Sequence, residues 1–217
     1  MQQISDQPAT EQLSGLPAAA FQKADVAPDA VFYALPRFVN HIDDGAIAAV
    51  TAIYQALLPA GGDILDLMSS WVSHLPQAVE YRSVTGLGMN VQELEANPRL
   101  TVRMVQDLNA NPALPFADSS FDGTGICVSV QYLQRPVEVF REVLRVLRPG
   151  APFIVTFSNR CFPSKAVAIW QAMLGADLQR LVGAYMQAAG FVGLNARAAV
   201  PPSGDPLWAV IGQAPGR

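Results

Sequence analysis

Two carboxylates stand where an apolar run gives way to a polar turn. Asp66 closes Ile64-Leu65 and leads into Leu67-Met68-Ser69-Ser70-Trp71, and Asp107 follows the apolar stretch from Leu100 to Val105. A strand-end acid at the rim of a sheet can accept hydrogen bonds from the hydroxyl or amino groups of a bound ligand. The chain has two histidines, His41 and His74. Imidazole titrates near neutrality, so these are the natural candidates for moving a proton. Tyr33 and Arg37 precede His41 within nine residues and could line the same pocket; a structural, polar-cap role for His41 is the competing reading. Cys127 and Cys161 stand in no metal-ligand spacing, and Cys161 has no histidine nearby in sequence to activate it. No metal site is expected.

The elements that must position these groups follow from periodicity. Ile47, Val50, Tyr54, Leu57 and Leu58 recur at helical spacing, with Asp43 and Asp44 at the start as caps and Pro59-Ala60-Gly61-Gly62 as the stop. Strands are expected at 64–68, 84–87, 100–105, 124–130 and 153–157. Pro76 is expected to open a short helix between the first two. Asn90 with Glu93 reads as a capping-box helix start, ended by Asn97-Pro98. Pro136 opens a helix with Phe140, Val143, Leu144 and Leu147 on one face, and Leu178 to Ala189 forms another, closed by Gly190. Phe191 to Val200 and Leu207 to Gly212 are two closing strands. Strands alternating with helices imply an α/β fold with a mostly parallel, Rossmann-like sheet and a closing antiparallel strand. Its ligands sit outside the carboxyl ends of the strands.

Composition narrows the class. At 217 residues the chain suits one α/β domain. Residues 1–28 read as a mobile arm or partial cap, and residues 29–217 as the domain. The net charge of −4 and the lack of a Lys/Arg cluster argue against nucleic acid as partner. No apolar run approaches the ~18 residues of a membrane span, and the polar, acidic N-terminus is not expected to act as a secretory signal. The expectation is a cytoplasmic protein without membrane contact; its oligomeric state is left open.

Leu114-Pro115-Phe116-Ala117-Asp118-Ser119-Ser120-Phe121-Asp122, then a strand, a helix and Val146-Leu147-Arg148-Pro149-Gly150, resembles the class I S-adenosylmethionine-dependent methyltransferases, in particular the methyltransferase type 11 group. Order and spacing agree over about Ile64 to Ser158. The resemblance implies S-adenosyl-L-methionine as cofactor and a small-molecule methyl acceptor as substrate. It implies cofactor contacts at Asp66, Met68, Ser69 and Ser70 after the first strand, at Gly88, Met89 and Asn90 after the second, at Asp107 and Leu108 after the third, and at Val128 in the fourth. Residues beyond the fourth strand face the acceptor in this family, which brings in Gln131 and Tyr132. Asn159 and Arg160 after the fifth strand could bind an anionic or carbonyl acceptor. The catalytic candidates are His41, His74 and Tyr132, and the acceptor-binding candidates are Tyr33, Arg37, Gln131, Asn159 and Arg160.

The chain departs from the family in two places. Met68, Ser70 and Val72 replace the glycines of the turn after the first strand, and Gly88 replaces the acid that holds the ribose hydroxyls. On one reading Ser69, Ser70 and Asn90 take over the polar contacts, with Met89 against the adenine. On the other the domain is a catalytically silent binding or assembly module, and Gly88→Asp should then create cofactor binding. A nicotinamide oxidoreductase is a third reading, and it lacks both a glycine fingerprint and a Tyr-x-x-x-Lys pair.

Overall fold

The computed structural model describes residue 13 and residues 15–216; the remainder of the expected arm, residues 1–12 and 14, lies outside the described residues. Seven strands form one sheet: β1 Asp63–Leu67, β2 Ser83–Gly88, β3 Val102–Val105, β4 Gly123–Cys127, β5 Pro152–Phe157, β6 Val192–Ala199 and β7 Leu207–Gln213. Their order is β3-β2-β1-β4-β5-β7-β6. β1 pairs in parallel with β2 and β4, and β7 runs antiparallel between β5 and β6. The chain order reverses between β1 and β4, so the connections that leave these paired strands run in opposite directions and leave a crevice at their carboxyl ends.

Among the described residues six α-helices accompany the sheet: α1 Asp29–Phe32, α2 Asp44–Leu57, α3 Val91–Ala96, α4 Pro136–Val146, α5 Ala168–Gln171 and α6 Ala176–Ala189. α2 starts as its sequence dictates, with the Asp43 carboxylate accepting from Ala46 N at 2.9 Å. α4 begins on Pro136 and buries Val139, Phe140, Val143 and Val146 completely against the sheet. Each such side chain contributes roughly 1.5–3 kcal/mol. Arg145 on its outer side holds the Leu114–Asp118 block, donating to the carbonyls of Leu114 and Phe116 and to Asp118.

Two expectations need correction. No helix follows β1: residues 68–82 are irregular. His74 has φ 53°, outside the helical region, and Pro76 disfavours helix in the residue before it. The serine hydroxyls of this stretch bond to Asp66 and Glu93 instead of capping a helix. The domain also begins earlier than residue 29. Phe21 is buried in the core, Lys23 bridges to Val167, and Ala168 N donates to Gln22 O. Residues 16–42 form a strap packed across the carboxyl edge of the sheet.

Candidate functional site

A cavity of about 320 Å³ opens at the carboxyl ends of β1, β2 and β4, roofed by the strap. Its walls include Asp66, Met68, Ser69, Ser70, His74, Gly88, Met89, Asn90, Asp107, Leu108, Val128 and Tyr132 from the strand ends. The strap adds Tyr33, Arg37 and His41, and Arg160, Cys161 and Phe162 close the side after β5. Gln131 and Asn159 are not among its walls. The Gln131 amide donates back to Val128 O at 2.8 Å and is buried, and Asn159 is exposed.

The turn after β1 is a built structure. Met68 takes φ 59°, the left-handed region that favours glycine. The Ser69 and Ser73 hydroxyls donate to Asp66 Oδ2 at 2.6 and 2.7 Å, and the Ser70 hydroxyl donates to Glu93 Oε2 at 2.6 Å. Asn97, fully buried, donates to Ser70 O at 2.9 Å and to Ser73 Oγ at 2.8 Å. Burial pushes the Asp66 carboxyl up to about 6, against the pull of its two serine donors. Met68, His74 and Val128, with φ of 59°, 53° and 48°, all line the cavity; one other described non-glycine residue, Ser119, has positive φ. Backbone strain of this kind gathers at functional sites. For the β-branched Val128 it is a marked outlier, and it ends β4 three residues before the expected Val130.

At β2 the geometry redirects two sequence-based assignments. A Cβ on Gly88 would stand 2.1 Å from the Ser69 carbonyl oxygen, so residue 88 has no room for an acid and Gly88→Asp cannot restore one. The Asn90 side chain is a strut. Its oxygen accepts from Glu93 N at 3.1 Å, and its amide donates to Tyr33 O and Ala34 O at 3.0 and 3.2 Å. Glu93 makes only half of the expected capping box. Its carboxylate turns away from the Asn90 amide, to the Ser70 hydroxyl and to Arg37 N at 2.7 Å. Asn109 ties three elements together: it donates to Asp29 and Tyr132 O, and accepts from Gln134 N. Asp107 stabilises the loop after β3, accepting from Asn109 N at 2.8 Å.

The strap side is aromatic and cationic. The Arg37 guanidinium lies 4.4 Å from the Phe32 ring centroid and 5.5 Å from that of Phe162, and donates to Phe32 O. His41 meets Phe162 edge-on at 5.3 Å, and Tyr132 stacks on the same ring at 6.0 Å. Burial lowers the affinity of both His41 and His74 for a proton, which keeps the imidazoles neutral at pH 7. Burial pushes Tyr132 and Cys127 up to about 12, so neither ionises near neutrality, and it raises Cys161 as well. Arg160 is held by Asp205 at 2.7 Å, and Asp205 exchanges backbone bonds with Asp43; its charge is already met. Beneath the strap, fully buried Lys165 contacts Asp25 and Asp29, and Lys23 contacts Asp29. Glu93, Asn97, Asn109 and Lys165 were not singled out by the sequence as parts of the site. The polar pair Asn90/Glu93 was the one signal available.

Residues 69–155 match the family described as methyltransferase domain. Among curated proteins, the methyltransferase phqN of Penicillium fellutanum is 36% identical over 77 residues, 33% of this chain and 24% of that protein. The biotin biosynthesis bifunctional protein BioHC of Teredinibacter turnerae is 41% identical over 44 residues, 20% of this chain and 8% of that one. The matches thus span a quarter or less of those relatives' lengths. Among solved structures, the [4+2]-cyclase SpnF superposes with a TM-score of 0.63 at 15% identity, covering 87% of this chain and 92% of that one. An S-adenosylmethionine-dependent methyltransferase from Aquifex aeolicus gives 0.57 at 15% identity, covering 80% and 91%. Phosphoethanolamine N-methyltransferase 2 of Haemonchus contortus, in complex with S-adenosyl-L-methionine, gives 0.57 at 13% identity, covering 76% and 51%. The fold is that of the class I methyltransferases. Residues 69–155 thus match a methyltransferase domain within a sheet that has the class I methyltransferase fold.

Proposed function

We propose that the protein is an S-adenosylmethionine-dependent methyltransferase acting on a small molecule. The observation that carries this reading is the charge of the cavity. Asp66, Glu93 and Asp107 face it from the end of β1, from α3 after β2 and from the β3 end. Asp29 is offset by Lys23 and Lys165, and Arg160 by Asp205, which leaves Arg37 as the cavity's cation without an ion pair among the described residues. An excess of carboxylates in a partly enclosed space favours a cationic ligand. Met89 and Leu108 add the apolar surface that a purine needs. The residues present therefore fit a nucleoside sulfonium despite the missing glycines.

When bound, the cofactor supplies an electrophilic methyl group on sulfur. The protein's part is alignment and exclusion of water. The strap closes the cavity, and Tyr33, Arg37 and His41 on it are the groups that would orient the acceptor. A neutral imidazole at His41 can take a proton from an acceptor that must lose one. The cavity's size is that of small-ligand sites, which supports a small acceptor.

Fold alone does not fix the reaction, since one structural neighbour is a [4+2]-cyclase. Calorimetry with S-adenosylmethionine and S-adenosylhomocysteine tests the proposal. Saturable micromolar binding is expected; absence of both heat and thermal shift at millimolar ligand overturns it in favour of a silent methyltransferase-fold module. H41A and R37A should then lower turnover of an identified acceptor while S-adenosylhomocysteine binds within roughly threefold of wild type.

A further inference from the structure

We propose that Glu93 supplies the carboxylate that receives the vicinal hydroxyls of the cofactor's ribose, from α3 and not from the end of β2; this rests on the cofactor reading above. The end of β2 is bare and has to stay so. A Cβ on Gly88 would lie 2.1 Å from Ser69 O and 3.2 Å from Leu94 Cδ2. The Ser69 carbonyl has little freedom to retreat, because Ser69 N donates to Leu87 O at 2.8 Å and its hydroxyl is bound to Asp66. A carboxylate serving this end of the cavity therefore has to arrive from another element.

Glu93 has the required properties. It lines the cavity beside Met89 and Asn90 and is 8% exposed. Its two oxygens are fixed separately: Oε1 accepts from Arg37 N at 2.7 Å and Oε2 from the Ser70 hydroxyl at 2.6 Å. One donor comes from the strap and the other from the β1 turn, so the carboxylate plane is held from two sides. A carboxylate has about four acceptor positions, and one donor on each oxygen leaves each able to accept another. Two adjacent hydroxyls match two adjacent oxygens in a charge-assisted, bidentate contact. Asn90, the other polar group at this place, has its oxygen on Glu93 N and its amide on two strap carbonyls.

The test compares S-adenosylhomocysteine with its 2′-deoxy analogue, by calorimetry on the full chain. Wild type should prefer the ribo form by roughly tenfold or more, the size of one hydrogen bond to a charged acceptor. E93A should bring the two affinities within about twofold, and E93Q should fall between. A purely structural role for Glu93 would weaken both ligands alike and leave the ratio unchanged; a wild-type ratio in E93A and E93Q overturns the assignment while the cofactor reading stands. If E93A fails to fold, E93Q carries the comparison. If wild type binds neither ligand, the cofactor reading itself falls and takes this inference with it.

Discussion

The Ser69 carbonyl oxygen sits 2.1 Å from the point where a Cβ on Gly88 would be. The turn after β1 is folded over the end of β2, and only glycine can lie beneath it. G88A should therefore lower stability by roughly 1–3 kcal/mol, as overpacking against an immovable neighbour does, and G88D by more. Denaturant unfolding measures both. G88D is also expected to weaken binding of S-adenosylhomocysteine; tighter binding would show that the turn can retreat.

The strands were largely legible in the sequence because most are short apolar runs between turn residues. The α4 face and the Asp43 cap were legible for the same reason: period and cap chemistry are local. The coil at 68–82 was not, since it depends on Asn97 and Glu93, far along the chain, competing for the serines and the Ser70 carbonyl. The strap was not legible either. Lys23, Asp25 and Asp29 look like ordinary solvated charges until Lys165, more than 130 residues away, is found buried among them. Glu93 was read by its spacing from Asn90 as half of a capping box, which hid a carboxylate aimed at the cavity.

Asp66 should leave a signature in the pH dependence of stability. Its carboxyl is pushed up to about 6 in the fold, from an ordinary 3.8, chiefly by burial. The native state then holds a proton that the unfolded chain has lost, so this group's contribution declines as pH rises from about 4 to 6. Below that window the cost is absent; above it the cost is complete, on the order of 2–3 kcal/mol. D66N cannot ionise, so the difference between its stability and that of wild type should change by this amount between pH 4 and pH 7. A pH-independent difference would place Asp66 in the ordinary carboxylate range.

Asn97 holds the β1 turn by donation, and this sets the order of its substitutions. Its amide serves Ser70 O and Ser73 Oγ, while its oxygen accepts from Arg99 N at 3.0 Å. N97D keeps the shape and the acceptor, but it removes the donor and sets a buried carboxylate against the Ser70 carbonyl. It should cost at least as much as N97A, for which roughly 1–3 kcal/mol is expected from unsatisfied buried groups. Thermal melting of the two variants gives the order. N97A as the more damaging change would mean that shape, and not donation, holds the turn.

Lys165 is fully buried and makes its polar contacts with the strap: Ala27 O at 2.7 Å, Asp25 at 3.0 Å and Asp29 at 3.4 Å. Asp29 also takes Lys23 and the Asn109 amide, so it joins the strap to the loop after β3. Removing one partner of a buried pair leaves the other charge desolvated, which typically costs about 3–5 kcal/mol. In K165M, Lys23 still partly meets Asp29, which places the expected loss near the lower end. The loss should be local. Amide exchange should accelerate across residues 16–42, while α4 and β5, which are buried in the core, keep their protection. Because Tyr33, Arg37 and His41 ride on this strap, ligand bound in the cavity should slow that exchange again. Uniform acceleration over the whole chain would instead make Lys165 a support of the global fold and leave the strap without a latch of its own.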